Sequence, residues 1–115
     1  MTWVKLDDGF PRHPKIVGLS DRAFRAHVEA LCYAATYTTD GYLTSGVARH
    51  LASPAARREL AEAGVWDVNG DGYAIHDYLA YQPSRAEVEA ERQRRTREQS
   101  QGRARQRRYR ERADA

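Results

Sequence analysis

The sequence predicts a mainly helical α+β fold with a small β-sheet, and three stretches predict it. Between Thr44 and Gly64 two capped helical segments follow one another with almost no spacer. A tight hairpin signal follows at once, Val65-Trp66-Asp67-Val68-Asn69-Gly70-Asp71-Gly72-Tyr73-Ala74-Ile75-His76. Upstream, Phe24, Val28, Leu31 and Ala35 recur at helical spacing as the stripe of a long core helix. Helix, turn, helix and two-stranded wing is the plan of a winged helix-turn-helix domain. It is assigned here to residues 1–83, with residues 84–115 as a basic C-terminal tail, helical or disordered. Modules of this plan bind DNA or other proteins, so function needs separate arguments.

Each element has a local cause. Trp3-Val4-Lys5-Leu6 reads as a short strand that pairs with the wing as a third strand. Asp7-Asp8-Gly9-Phe10-Pro11 is a turn, and His13–Leu19 a short helix with Pro14 in its first turn and Ile16, Val17 and Leu19 toward the core. Ser20 caps the long helix through about Tyr37, with Ala23 and Cys32 widening its stripe. Thr38-Thr39-Asp40-Gly41 ends it, and Tyr42-Leu43 is briefly extended. Thr44 caps the next helix, through Leu51. Ser53 caps the one after, with Pro54 where a missing N–H does no harm. Ala56, Leu60 and Ala63 share one face of that second helix, Arg57, Arg58 and Glu62 point away, and Gly64 can take the left-handed conformation that ends it. Asn69-Gly70 is a strong two-residue hairpin signal, with Asp71-Gly72 as a rival turn. Asp77–Gln82 packs back as a short helical turn, and Pro83 marks the exit from the domain.

Ser84-Arg85-Ala86-Glu87 is a capping box, so a helix starts there. It has little apolar surface to bury, no sustained heptad, and a weak point at Ser100-Gln101-Gly102. Beyond that point the arginines surround the axis, which predicts a frayed or disordered tail that orders on a partner.

The net charge of +3 hides an asymmetry. Residues 1–82 carry 8 Lys and Arg against 10 Asp and Glu, a net of −2. Residues 83–115 carry 11 Arg against 6 Asp and Glu, a net of +5. Within 92–112 the balance is ten Arg against Glu98 and Glu111, or +8. A slightly acidic domain with a strongly basic tail suggests a polyanion-binding arm; the plainer reading is a solvated arm that aids solubility. No apolar run approaches the ~20 residues that span a membrane, and the N-terminus lacks the pattern of a signal peptide. The single cysteine, Cys32, is expected as a buried, inert thiol in a reducing cytosol.

Catalysis finds little support. His13, His27, His50 and His76 are scattered, and the metalloprotease pattern, paired cysteines and a glycine-rich phosphate loop are all missing. His76-Asp77 is a lone dyad, better read as structural. Asn69-Gly70-Asp71-Gly72 lacks the alternating acids and terminal Glu of a calcium loop. No metal site, no cofactor and no enzymatic activity are expected.

Nucleic acid finds more. The second helix of a helix-turn-helix offers its N-terminal residues to base edges in the major groove. That puts Arg57 and Arg58 forward, with Arg49 and His50 from the preceding helix. Arginine can donate two hydrogen bonds to guanine. Glu59, Glu62, Asp67 and Asp71 work against this on the same surfaces. The tail offers Arg92, Arg94, Arg95, Arg97, Arg103, Arg105, Arg107, Arg108 and Arg110 as phosphate contacts, which position without reading sequence.

Trp3-Val4-Lys5-Leu6, Pro14-Lys15-Ile16 with Leu19, Thr39-Asp40-Gly41-Tyr42-Leu43, Gly64-Val65-Trp66 and Tyr73-Ala74-Ile75-His76-Asp77-Tyr78 with Tyr81-Gln82 make residues 3–82 resemble the N-terminal domain of phage replisome organiser proteins, relatives of the primosomal helicase loaders. The resemblance implies a winged helix, a phage or prophage origin, and double-stranded DNA binding in replication initiation or its regulation. It places the recognition positions on Arg57 and Arg58 and the wing tip on residues 69–72. It also implies a bacterial host cytoplasm and association with the nucleoid. Full-length organisers generally continue into a helicase-contacting domain, whereas this chain continues into an arginine-rich tail. The alternative reading is a protein-interaction module of a replication or transcription complex, tethered to nucleic acid by the tail; a third is RNA binding through the arginine-rich segment.

Overall fold

A computed structural model describes residues 3–114, in two units, Met1–Ser84 and Arg85–Ala115. In the first unit a 3-10 turn, Phe10–Arg12, leads to α1 (Pro14–Val17) and α2 (Asp21–Tyr37). Then come β1 (Tyr42–Leu43), α3 (Ser45–Leu51), α4 (Pro54–Glu62), the hairpin β2 (Trp66–Asn69) and β3 (Gly72–Ile75), and α5 (Tyr78–Tyr81). The second unit is one helix, α6 (Arg85–Asp114). The fold is α+β, mainly helical, with a three-stranded antiparallel sheet in the order β1-β3-β2. Helix, short strand, two helices and a hairpin whose inner strand pairs with that short strand is the winged helix-turn-helix order.

The caps form as the side-chain chemistry dictates. Ser20, Thr44 and Ser53 accept from the backbone N–H groups of Ala23, Val47 and Ala56 at 3.2, 3.3 and 3.2 Å. Leu43, Leu60 and Trp66 are the largest fully buried side chains, so the core lies where β1, α4 and the hairpin meet α2. The buried face of α2 is Ala23, Ala26, His27, Ala30, Leu31 and Ala34. Its small side chains let neighbouring backbones approach closely.

Several expectations are corrected. Residues 3–6 form no strand; the third strand is Tyr42–Leu43, paired Tyr42↔Ala74 and Leu43↔Tyr73. The Gln82 side chain holds the N-terminal segment instead, accepting from Lys5 N at 3.0 Å and donating to Lys5 O at 2.5 Å. This two-point clasp satisfies backbone groups that a ladder would otherwise use. Val17 is exposed, because the one-turn α1 buries only Ile16. The stripe of α2 is rotated from the expected one, so Cys32 is exposed and not a buried thiol. The hairpin loop is Gly70-Asp71, with Asn69 opposite Gly72. Of those two loop residues only Gly70 has positive φ, at 59°, the sign pattern of a type II′ turn.

The C-terminal helix runs without a break through Ser100-Gln101-Gly102, where a weak point was expected. One glycine costs about 1 kcal/mol relative to alanine in a helix. The Arg, Gln, Glu and Ala around it are good helix formers, and Arg85–Glu89 and Glu91–Arg95 pair at i, i+4.

Candidate nucleic-acid interface

Polar ties hold α4 to α3 and to α2, and they engage two of its charged residues, Arg57 and Glu59. Arg57 is half-buried, and its Nη1 donates to the Ala52 carbonyl at 2.6 Å. Ala52 is the residue that ends α3, so Arg57 closes the turn between the two helices. Glu59 points back to the start of α2: Ser20 N donates to its Oε2 at 2.6 Å and the Ser20 hydroxyl to its Oε1 at 2.8 Å. The carboxylate thus accepts from the backbone N–H and the hydroxyl of the capping serine, at the positive end of the α2 dipole. Glu59 is therefore a structural strut between α4 and α2.

What remains on the outward face of α4 is short. Ala56 and Leu60 are buried, and Ala55, Arg58 and Glu62 are exposed. Arg58 makes no hydrogen bond or ion pair among the described residues. Arg49, exposed on α3, folds back onto its own helix, with Nε 3.3 Å from the Ser45 carbonyl oxygen and Nη2 3.5 Å from the Ser45 hydroxyl. His50 beside it is exposed. Arg58 is thus the unengaged cation of α4, and Arg49 on α3 is held only by weak bonds to Ser45.

The wing is not cationic. Residues 66–76 contain no Lys or Arg. Asp67, Val68, Asn69, Gly70 and Asp71 are exposed, Val68 to 72%. His76 Nδ1 lies 2.8 Å from Asp67 and its Nε2 3.4 Å from Asp77, so this histidine bridges two acids at the base of the wing. Asp77 itself has φ 56°, left-handed for a residue with a side chain, as it turns the chain into α5.

Beneath the wing, the Trp66 indole N–H donates to His27 Nδ1 at 3.2 Å. That bond assigns the His27 proton to Nε2. Burial lowers the His27 pKa from its ordinary value to about 4. His27 also lines a cleft of about 360 Å³ together with Phe10, Ile16, Leu31, His76 and Tyr78. Among the described residues no group of three or more His, Cys, Asp or Glu could hold a metal ion.

On α6 all ten arginines of residues 92–112 are exposed. Glu91 takes two of them, Arg94 at 2.5 Å and Arg95 at 3.3 Å. The Arg94 hydrogen bond, with the charges of both arginines, holds the Glu91 carboxyl below its usual value. Arg92, Arg97, Arg103, Arg105, Arg107, Arg108, Arg110 and Arg112 have no carboxylate partner among the described residues. Tyr109 is 75% exposed.

Sequence reasoning therefore named Arg58 and, on α6, Arg92, Arg97, Arg103, Arg105, Arg107, Arg108 and Arg110, which are available, together with Arg49, Arg57, Arg94 and Arg95, which are engaged. It missed the strut made by Glu59 and the buried histidine. His27 was findable: it sits four residues after Ala23 and four before Leu31, in the middle of an alanine-rich helical face.

No family model, curated protein or solved structure matches the chain. Among the described residues no helix is long and apolar enough to cross a membrane.

Proposed function

We propose that the protein is a non-enzymatic, phage-type DNA-binding protein acting in replication initiation or its regulation. The winged helix docks on duplex DNA through α4, and α6 supplies phosphate contacts. The observation that carries this reading is α6: ten exposed arginines within residues 92–112 of one continuous helix, of which, among the described residues, only Arg94 and Arg95 have a carboxylate partner. Each phosphate neutralised releases counterions, so an unpaired arginine array favours a polyanion entropically. The engagement of Glu59 with Ser20 supports the same reading, since it removes one of the two acids of α4 from the outward face. The replication role rests on the resemblance of residues 3–82 to replisome organisers.

One observation favours a second reading, a protein-interaction module tethered to nucleic acid by α6. The outward face of α4 carries Arg58 next to Glu62, and the wing carries Asp67 and Asp71 with no Lys or Arg. The experiment that separates the two is selection of random duplex DNA by the full-length protein and by Arg58→Ala at near-physiological salt. The DNA-reading account expects an enriched motif that degrades in the variant. Recovery of unselected sequence by both proteins would support the interaction-module reading.

A further inference from the structure

The continuity of α6 gives its side chains a fixed angular order that a flexible arm would lack. At about 100° per residue, Arg92, Arg103, Arg107 and Arg110 fall on one flank, within about 60° of one another. Arg94, Arg97, Arg105, Arg108 and Arg112 fall on a second flank, within about 80°, centred roughly 160° around the axis from the first. Between the flanks, in a strip about 40° wide, lie Gln93, Ser100 and Ala104, with Glu111 at the far end. Glu98 sits at the outer edge of the second flank. Arg95, Gly102, Gln106 and Tyr109 occupy the back. Nine of the ten arginines of residues 92–112 therefore border a strip made of an amide, a hydroxyl, a methyl and one carboxylate.

We infer that α6 lies in the major groove of duplex DNA, its two arginine flanks against the phosphates of the two strands and the Gln93–Ser100–Ala104 strip facing the base edges. This rests on the DNA-binding reading above. The dimensions agree: the groove is about 12 Å wide and a helix with its side chains about 10–12 Å across. The chemistry agrees as well. Two cationic walls match two phosphate rows, and glutamine, serine, alanine and glutamate are side chains that meet adenine, either base type, the thymine methyl and cytosine respectively. Continuous basic helices in major grooves are a known docking geometry. The deep, narrow major groove of A-form RNA would not admit such a helix.

The test uses the full-length protein, a short labelled mixed-sequence DNA duplex, and anisotropy titrations across a salt series. Ala104→Pro keeps every charge and breaks the helix. A second variant combines Gln106→Arg, Arg107→Gln, Arg108→Tyr and Tyr109→Arg. It keeps composition and net charge while moving two cations from the flanks to the back. The inference expects both variants to bind the duplex on the order of ten-fold more weakly, with shallower salt dependence. Circular dichroism should show the helix lost in the first variant and retained in the second. It also expects double-stranded RNA of the same sequence to compete poorly. If both variants bind as the parent does, or the RNA duplex competes equally, the groove assignment is overturned and α6 is an unordered cationic tether; the DNA-binding reading then survives. If the parent protein fails to bind duplex DNA at low salt, the DNA-binding reading itself falls.

Discussion

Arg57 and Arg58 are neighbours in sequence with opposite assignments, and alanine substitution separates them. Arg57→Ala removes the 2.6 Å bond that closes the α3–α4 turn. A hydrogen bond from a charged donor contributes about 1.5–3 kcal/mol when buried. Arg57 is only half-buried, so solvent screening brings the expected loss to about 1 kcal/mol. For a domain of this size that lowers Tm by about 4–8 °C. Arg58→Ala removes no hydrogen bond or ion pair among the described residues and should leave Tm unchanged. Its effect is on DNA: a base contact is worth about 1–3 kcal/mol, roughly five- to 150-fold in affinity, whereas a phosphate contact lowers the salt slope by about 0.9. The assay is a pair of measurements on each variant, thermal unfolding followed by circular dichroism and anisotropy on duplex DNA. Loss of affinity in Arg57→Ala with Tm intact, or an unchanged affinity in Arg58→Ala, would refute the assignment.

Three further outcomes follow from the packing. Stability should fall as pH drops from about 6.5 to about 4, because His27 is held neutral in the folded state and takes up a proton more readily when unfolded. The full effect is at most about 3 kcal/mol, and the melting temperature of His27→Phe should depend less on pH over that window; equal pH dependence in both proteins would remove His27 as the cause. Gly72→Ala should destabilise by more than about 3 kcal/mol, since its Cβ would overlap the Leu43 carbonyl oxygen where β1 meets β3; an unchanged urea midpoint would contradict the register. Glu59→Ala should cost about 1 kcal/mol through the lost bonds to Ser20 yet leave DNA affinity unchanged. Tighter DNA binding by that variant would place Glu59 at the interface.

The parts of the fold that were legible in the sequence are those set by local chemistry. Ser20, Thr44 and Ser53 cap helices because a hydroxyl three residues before a free N–H is a sufficient cause, and all three positions hold. Periodicity placed α2 but not its facing. Phe24 and Val28 are larger than the alanines beside them and drew the stripe toward themselves. Close approach of α3, α4 and β1 instead selects the small residues for the interior. The third strand was misplaced for a tertiary reason: Trp3–Leu6 has strand-forming residues, but Gln82, 77 residues away from Lys5, takes its backbone groups. The engagement of Arg57 and Glu59 was likewise invisible, since charges on a helix surface say nothing about partners contributed by other elements. The arginine count of the tail was plain from the sequence. Their division into two flanks required the helix to pass through Gly102.

The most direct test of the account is the salt dependence of duplex DNA binding by the full-length protein. If the eight arginines of α6 without carboxylate partners are the phosphate contacts, log K should fall with log salt at a slope between about −3 and −7. Non-specific affinity in the micromolar range at physiological salt should accompany it. A slope near zero, or no binding at low salt, would contradict the claim that this chain is built to hold nucleic acid.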